Sequence, residues 1–325
     1  MYKSSKINHN LFPEQVRLVA EVAEEEGYKV EWLDRWSGFL YRINGRLFGY
    51  APLAKFPLNQ AMARSVCRDK AFTYVLLEEA GIGVPEGDYF LKCDQEYGEY
   101  CRGKGKDEAL AWARHLGYPV FVKPNSLSMG KLCRRVYDEN ELIDHIEQVF
   151  GSDYIVLVQR IVTGKEYRVV VVDDEIGLCY HKSPPVVRGD GRTQLAVLME
   201  KTKSLHKGRL EVDWKQLEKR GYSSQSVLKE NEELILKDVA NLNRGGWVVE
   251  VLKKYPPKLQ SFIKKISQVL SVRYFGLDLI CHDLSELETY IVLEVNADPG
   301  YDAFMEHDRQ LTKEVFRRIL VACFK

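Results

Sequence analysis

Two apolar segments near the carboxyl end of the chain constrain its fold most, because each carries an acidic residue inside a hydrophobic run. The first is FGLDLI, which contains Asp278, and the second is IVLEVN, which contains Glu294 and Asn296. Runs of this composition favour neighbouring strands of one sheet, which we expect to be antiparallel. Glu294 and Asn296 are two residues apart, so both side chains point to the same face of their strand.

These three oxygen-bearing side chains predict a magnesium site. Buried carboxylates that face each other repel, and a divalent cation offsets both the repulsion and the cost of burial. Two carboxylates and an amide suit Mg²⁺ that keeps several waters and bridges nucleotide phosphates. The alternative is that the carboxylates form ion pairs with Lys or Arg at the ends of their strands.

Other segments have the composition of nucleotide-binding loops. Lys123 ends the apolar strand VFVKP and is followed by NSLSMGK, whose N–H groups and hydroxyls can hold phosphate oxygens. The segment QRIVTGKEYR places Glu166 and Arg168 just after a break between two strands. VVRGDGR and NLNRGG combine glycine with arginine, as do mobile loops that close over anions. Each of these patterns also fits an ordinary surface loop or turn.

Periodicity predicts the elements that carry these segments. Asn44-Gly45 and Asp173-Asp174 are hairpin turns between strand-like runs, whereas the pattern does not order residues 190–240. The helix over 60–80 is expected to bury one face formed by Ala71, Val75, Leu76 and Ala80. Further helices are expected over 14–26, 107–116, 139–150, 259–272 and 309–322.

Charge and cysteine usage exclude several classes of protein. Lys plus Arg and Asp plus Glu both number 47, so the net charge is zero, which argues against nucleic acid or an anionic membrane as partner. No run approaches about 18 apolar residues. None of the seven cysteines forms a C-x-x-C pair and their number is odd, so we expect free thiols and a cytoplasmic protein.

Taken in their order along the chain, the segments resemble the ATP-grasp superfamily, and within it the cyanophycin-synthetase-like and glutathione-synthetase-like carboxylate–amine ligases. The resemblance implies an α+β fold in which two α/β lobes, at 60–156 and 157–325, clamp a nucleotide, with a short α/β unit at 1–59 before them. It covers roughly residues 60–310 and rests on CRDKAFTYVLLEEAGIGVPEG, YPVFVKP, VQRIVTGKEYRVVVVDDEI, VVRGDGRTQLAVLMEKTK, NLNRGG and FGLDLI with VLEVNADPG.

The resemblance also implies ligands for particular residues. ATP would be held at its phosphates, adenine and ribose by Lys70, Lys123, Ser126, Ser128, Gly130, Arg168, the backbone of Gln159 and Val162, and Glu166. One or two Mg²⁺ ions, for which Mn²⁺ can substitute, would be bound by Asp278, Glu294 and Asn296. The residues expected near the γ-phosphate or the acyl-phosphate are Lys182, Arg188, Asn243 and Arg244.

The activity implied is formation of an amide or peptide bond through an acyl-phosphate, with release of ADP and phosphate, on amino acids or small peptides. A kinase of the same fold, a ligase that forms thioesters on a carrier protein, and a non-catalytic nucleotide-binding module are the alternatives. A homodimer is common for such folds. His181 and His307 are expected to be solvated or structural rather than catalytic.

Three positions depart from the family pattern. Arg244 replaces a small hydroxyl residue and is expected to bind a substrate carboxylate, and Asp298 to attract a substrate ammonium group. Gly276 stands where D-alanine ligases carry Arg, which disfavours a D-alanine ligase. Arg244 and Asp298 together suggest a zwitterionic amino acid as substrate.

Overall fold

The computed structural model describes residues 9–50, 53–94, 98–205, 210 and 212–325. Its α-helices are α1 (Glu14–Glu25), α2 (Ala61–Arg68), α3 (Lys70–Glu79), α4 (Lys106–Leu116), α5 (Glu139–Phe150), α6 (Leu195–Leu205), α7 (Trp214–Lys219), α8 (Pro257–Leu270), α9 (Asp302–His307) and α10 (Arg309–Phe324). Its strands are β1 (Val30–Trp32), β2 (Leu40–Ile43), β3 (Arg46–Tyr50), β4 (Ala54–Lys55), β5 (Gly87–Leu91), β6 (Val120–Pro124), β7 (Arg134–Val136), β8 (Ile155–Gln159), β9 (Lys165–Val172), β10 (Glu175–Ser183), β11 (Val186–Arg188), β12 (Glu233–Ile235), β13 (Trp247–Val251), β14 (Tyr274–Cys281) and β15 (Ile291–Asn296). Among these helices, none has both the length and the apolar character that crossing a bilayer requires.

A five-stranded sheet forms the centre of the C-terminal half. Its order is β13-β10-β9-β14-β15, and every neighbouring pair is antiparallel. One face packs against α8 and the preceding helices α2 and α3 through a fully apolar core. The helix predicted over 259–272 is α8, and its apolar stripe, which includes Leu259, Ile263 and Ile266, supplies much of that core.

The first lobe is a four-stranded antiparallel sheet in the order β5-β8-β6-β7. Buried residues of α4 and α5 cover one face of it. Residues 160–164 join β8 of this sheet directly to β9 of the central sheet. The two sheets are thus connected by a short link at the edge where each carries its polar side chains.

The N-terminal unit is a helix followed by the meander β1-β2-β3-β4. The predicted turn at Asn44-Gly45 is confirmed: φ is 45° at Asn44 and 81° at Gly45, the left-handed pair that a two-residue hairpin turn needs. The unit shares one core with α10 and with the end of the central sheet, in which Phe48, Phe56 and Phe316 are almost fully buried. It therefore covers part of the sheet face opposite α8.

The helix predicted over 60–80 is instead two helices. α2 ends at Arg68 and α3 begins at Lys70, with extended backbone at Asp69, whose side chain accepts a hydrogen bond from the N–H of Phe72 and so caps α3. The predicted buried face holds for Ala71, which is buried, and for Leu76 and Ala80, which pack against the core, but it is wrong for Val75, which is 48% exposed. Tyr74 and Leu77 are buried on this helix as well.

Residues 184–246, which the sequence pattern largely failed to order, form an insertion with a small core of its own. It comprises α6, α7 and the antiparallel pair of strands β11 and β12. The insertion reaches the first lobe at Glu141 of α5, which pairs with Lys219 at 2.7 Å and accepts a hydrogen bond from Gln216 at 2.8 Å. It thus spans from the central sheet to the other lobe.

Cysteine pairing differs from the expectation. Cys93 and Cys101 form a disulfide, so the prediction that all seven thiols are free is wrong for this pair. The two residues are eight apart in a loop, a separation with no recognisable spacing motif. The remaining free cysteines are Cys67, Cys133, Cys179, Cys281 and Cys323.

Candidate active site

Polar side chains line one face of the central sheet where the N-terminal unit does not cover it. Asp278 of β14 lies opposite Glu294 of β15, and Gly276 lies opposite Asn296, so the three predicted magnesium ligands share a face. On the other side of β14, Asp278 lies opposite Arg168 of β9. The antiparallel pairing predicted for these segments is confirmed.

Four charged residues on this face form what we call the charged cluster: Lys182 and Asp278, which are buried, and Glu166 and Arg168, whose side chains are each 16% exposed. Arg168 donates from Nε and Nη2 to the two carboxylate oxygens of Asp278, at 2.7 and 2.9 Å. Lys182 Nζ lies 2.9 Å from Asp278 and 2.7 Å from Glu166. Two cations and two anions therefore balance, as buried charges require.

The cluster shifts the pKa values of its members. Burial alone would raise the pKa of Asp278, but the charges of Arg168 and Lys182 outweigh it and lower the pKa to about 2. Burial raises the pKa of Glu166 against the opposing charge of Lys182. Burial opposes protonation of Lys182, yet Asp278 and Glu166 raise its pKa above the ordinary value. For Asp278, the structure thus shows the ion pairs with Lys and Arg that the sequence left open as the alternative to a metal site.

Two lysines reach toward β15, one from α3 and one from the first lobe. Lys70, the first residue of α3, donates to the carbonyls of Asn125 and Leu127 at 3.0 Å each and pairs with Glu294 at 3.2 Å. Lys123, at the end of β6, donates to Tyr74 Oη at 2.6 Å. Burial lowers the pKa of Lys123. Both predicted phosphate-binding lysines therefore lie at the junction between the two sheets.

Tyr74 and Asn125 belong to this junction, although the sequence did not single them out. Tyr74 Oη donates to the carbonyl of Leu293 at 2.5 Å, beside Glu294. Asn125 Oδ1 accepts a hydrogen bond from the N–H of Ala71 at 2.8 Å. Tyr74 follows Lys70 by four residues on one helix, a spacing that puts the two side chains on the same face and could have identified it.

The thiol of Cys133 lies among the same lysines. Burial raises the pKa of Cys133 to about 11, against the charges of Lys123 and Lys70, and the charge of Arg244 acts on it as well. Arg244 ends the short turn Leu242–Arg244, which follows Asn241 and precedes Gly245. The NLNRGG segment thus contributes a positive charge that acts on this thiol. Asn243, in the same turn, is exposed.

The loop after β6 has features expected of a phosphate-binding loop, and it also forms hydrogen bonds to other residues of the protein. Ser126 is exposed, and its N–H and hydroxyl donate to Asp153 at 2.7 and 2.9 Å. Ser128 is exposed as well, and Gly130 has a φ of 65° that suits glycine. A Cβ on Gly130 would lie 3.5 Å from Val239, so this loop approaches the insertion. Phosphate binding by Ser126, Ser128 and Gly130 remains a prediction.

The remaining predicted residues lie in three places. Gln159 is buried at the end of β8, and Val162 lies in the link between the sheets, where a role in holding adenine stays a prediction. Arg188 of β11 pairs with Glu233 of β12 at 2.6 Å on the surface of the insertion, and its described contacts do not join it to the charged cluster. His181 precedes Lys182 on β10, so its ring packs against Tyr167 on the opposite face; His307 is exposed.

Asp298 does not have the free carboxylate that the sequence suggested. Its two oxygens lie 2.8 Å from Lys55 Nζ and 3.3 Å from Arg64 Nη2. The prediction that Asp298 attracts a substrate ammonium group is therefore wrong, because two cations already neutralise this charge. Asp298 instead joins the end of β15 to the N-terminal unit and to α2.

The donors on this face fit a magnesium ion. Within the described ranges there is no cluster of three or more His, Cys, Asp or Glu side chains suited to a metal, because the third predicted ligand is the amide of Asn296. Glu294 and Asn296 are only half-buried. Asp278 Oδ2 accepts from Arg168, and a carboxylate offers about four acceptor positions in all. Two carboxylates and an amide are the hard oxygen donors that Mg²⁺ prefers.

Replacing Tyr74 by Phe tests whether its hydroxyl holds Lys123 beside β15. The change removes one atom and leaves Lys123 Nζ with the carbonyl of Leu293 at 3.4 Å. A hydrogen bond to a charged group contributes about 1.5–3 kcal/mol, so we expect calorimetry to show an affinity for Mg·ATP lowered roughly ten- to a hundredfold.

Tyr290→Phe is the matched control for this variant. Its buried hydroxyl donates to the carbonyl of Leu284 in the core on the other face of the sheet. We expect it to leave the affinity for Mg·ATP unchanged. Equal losses in the two variants would mean that the hydroxyl of Tyr74 acts only through stability.

Comparison with known proteins relates the chain to a group of ligases. A family described as "D-ala D-ala ligase C-terminus" matches residues 76–188. The chain is 26% identical over 305 residues to the glutathione biosynthesis bifunctional protein GshAB of Desulfotalea psychrophila. The matched region covers 87% of this chain and 37% of that protein. The chain is also 25% identical over 278 residues to the cyanophycin synthetase of Synechocystis sp., covering 79% and 30%. The chain thus spans about a third of the length of these relatives.

The fold also has a counterpart among solved structures. The crystal structure of a bifunctional glutathione synthetase from Pasteurella multocida superposes with a TM-score of 0.53 at 19% identity, covering 94% of this chain and 43% of that one. At this identity the likeness establishes the fold. The family resemblance and the fold class predicted from the sequence motifs are confirmed.

Proposed function

From the ATP-grasp fold of this chain and the charges on its central sheet, we propose that it is an ATP-dependent ligase that joins a carboxylate to an amine. The reaction runs through an acyl-phosphate and releases ADP and phosphate. One observation carries the proposal: Lys70 of α3 pairs with Glu294 of the central sheet, and Lys123 of the first lobe reaches the carbonyl of the preceding residue, Leu293, beside the charged cluster. That junction offers cations to phosphates and hard oxygen ligands to Mg²⁺ at the same place.

The first step is phosphoryl transfer to the carboxylate. A carboxylate oxygen attacks the γ-phosphorus of ATP, the bond from that phosphorus to the β,γ-bridging oxygen breaks, and ADP leaves. This step needs positioning and neutralisation of charge. Lys70 and Lys123 would bind the phosphates, which favour the charged form of Lys123 that burial opposes. Asp278, Glu294 and Asn296 would hold Mg²⁺, which supplies additional positive charge to the phosphates.

The second step is attack by the amine. Its nitrogen bonds to the acyl carbon, the bond from that carbon to the phosphate oxygen breaks, and a proton passes to solvent. Donors beside the developing oxyanion lower the barrier, and we propose Arg244 and the backbone of NLNRGG for that role. Lys182 holds Asp278 and Glu166 in place and acts as a positioning residue. The insertion, which reaches the first lobe through Glu141, would keep water from the acyl-phosphate.

The substrates we propose are small molecules, with an amino acid or a short peptide as the carboxylate or the amine. The cation of Arg244, whose charge acts on Cys133 beside the lysines, supports recognition of a second carboxylate group. Because the reaction consumes ATP and amino acids, we place it in the cytoplasm. The relatives named above include enzymes of glutathione and cyanophycin synthesis, which act on the same chemical class.

The direct test is to measure ADP release with pairs of L-amino acids and to identify the product by mass spectrometry. A ligase releases ADP only when both an acid and an amine are present, and the product mass equals the sum of the two less water. ADP release with the acid alone and a stable phosphorylated product would identify a kinase. No uptake of Mg·ATP in calorimetry would contradict the proposal as a whole.

A further inference from the structure

Arg168 uses only part of its guanidinium on Asp278. Nε and Nη2 form the fork to the carboxylate, and in the part of the chain that the structure describes no side chain or carbonyl accepts a hydrogen bond from Nη1. The side chain is 16% exposed, so the fork does not seal it from the cleft. Nη1 therefore keeps two N–H groups for a ligand.

The position of Nη1 depends on the absence of a side chain at residue 276. A Cβ built on Gly276 would lie 2.9 Å from Arg168 Nη1 and 2.8 Å from Pro299 Cβ, both closer than real Cβ contacts. The guanidinium thus occupies the space above Gly276, with the ring of Pro299 beside it. Glycine is required here by this close approach, since no positive φ is found at this position.

Nη1 also lies near the predicted metal ligands, at a neighbouring position on the same face of the sheet. Gly276 faces Asn296 and Asp278 faces Glu294, so the two pairs are neighbours on one face, about 7 Å apart along the strand. An anion that contacts Nη1 would therefore be adjacent to the phosphates that the lysines and Mg²⁺ hold. Asp278 already fixes the other two guanidinium nitrogens, so Nη1 would present its donors without a further loss of side-chain freedom.

We infer that Arg168 is a catalytic residue that binds the substrate carboxylate through Nη1, and that the absence of a side chain at Gly276 leaves the space that its guanidinium occupies. This inference rests on the proposed ligase function and deepens it. A planar guanidinium aimed at a carboxylate orients the attacking oxygen and offsets its repulsion from the γ-phosphate. Arg188, in contrast, is exposed on β11 of the insertion and pairs with Glu233.

Gly276→Ala is the test, with Gly177→Ala as the matched control. Gly177 lies on β10 of the same sheet, and an added Cβ there would meet its nearest atom at 3.7 Å, an ordinary contact. The assay supplies Mg·ATP, hydroxylamine as the amine, and the L-amino acid that the wild-type chain uses fastest as the carboxylate. The loss of a charge-assisted hydrogen bond corresponds to roughly a ten- to hundredfold fall in kcat/KM for that amino acid.

Binding of Mg·ATP, measured by calorimetry, separates this outcome from general damage. We expect Gly276→Ala to keep the wild-type affinity for Mg·ATP and Gly177→Ala to keep both affinity and activity. Equal kcat/KM in the two variants would overturn the inference, as would a loss of Mg·ATP binding in Gly276→Ala. An inactive wild-type chain would instead count against the proposed function.

If Gly276→Ala does not fold, Arg168→Lys tests the role of Nη1 instead. Lysine keeps a cation beside Asp278 but has neither the fork nor the nitrogen above Gly276. We expect the same fall in kcat/KM for the amino acid, measured at saturating Mg·ATP. Wild-type kinetics in Arg168→Lys would overturn the role of Nη1.

Discussion

Replacing Glu294 by Gln is expected to lower the rate of ADP release at least about 100-fold, because even partners one layer outside a metal's ligands contribute 10–100-fold to affinity or activity. Gln keeps the shape of the side chain and removes the charge that a magnesium ion would need. Lys70 loses its partner at 3.2 Å but keeps the carbonyls of Asn125 and Leu127, so we expect the variant to fold. The rate is measured by coupled ADP assay at saturating Mg·ATP, and folding by circular dichroism.

Glu250→Gln provides the control for Glu294→Gln. Glu250 is an exposed residue of β13, the edge strand on the far side of the same sheet. The same change of charge at this site should leave ADP release at the wild-type rate. A folded Glu294→Gln variant with near-normal turnover would remove the metal assignment from this residue.

Replacing Asp278 by Asn is expected to lower the free energy of unfolding by about 3–5 kcal/mol, because breaking a buried ion pair leaves uncompensated charge. The neutral amide would leave the guanidinium of Arg168 and the ammonium of Lys182 with the single carboxylate of Glu166. The loss is measured by urea denaturation at neutral pH.

The chain contains a matched exposed pair for comparison. Arg273 donates to Asp173 in the same forked geometry, at 2.7 and 3.0 Å, but at the turn between β9 and β10, where the guanidinium side chain is 50% exposed. Exposed pairs contribute about 0–1 kcal/mol, so Asp173→Asn should cost far less. Similar losses in both variants would mean that burial of the charged cluster does not govern its contribution.

The contribution of Asp278 should also depend on pH. Its pKa in the folded chain is lowered to about 2 from an ordinary 3.8, so the folded state binds its proton less readily than the unfolded state does. The stabilisation is therefore complete above pH 3.8 and is lost as the pH falls through about 2. The difference in unfolding free energy between wild type and Asp278→Asn should shrink over that window. A difference that stays constant there would contradict the lowered pKa.

Local patterns were sufficient for most of the elements. The amphipathic stripes of α1, α5 and α8 and the turn at Asn44-Gly45 depend on residues close in sequence, so periodicity predicts them. The break between α2 and α3 was missed because residues 60–80 show no Pro or Gly before Gly81. There the cap formed by Asp69 and the burial of Tyr74 outweigh the apolar pattern.

The site was predictable in its composition but not in its contacts. The sequence placed Glu294 and Asn296 on one face of a strand and Lys123 at the end of another strand, whereas the position of Lys70 at the start of α3 came from the structure. It did not reveal that Tyr74 holds Lys123 or that Lys55 and Arg64 neutralise Asp298. These contacts join elements from different parts of the chain, and their side chains follow no shared spacing.

By itself, the sequence determined several of the strands, including those that carry Asp278 and Glu294, the shared face of Glu294 and Asn296, and the family that the motifs resemble. Those properties follow from the two-residue period of a strand and from turn residues, which act over a few positions. Only the tertiary structure decided that Arg168 pairs with Asp278, 110 residues later, above Gly276, and that Lys70 reaches Glu294. Such partners are selected by the packing of two sheets and the neutralisation of buried charge, which depend on the whole fold.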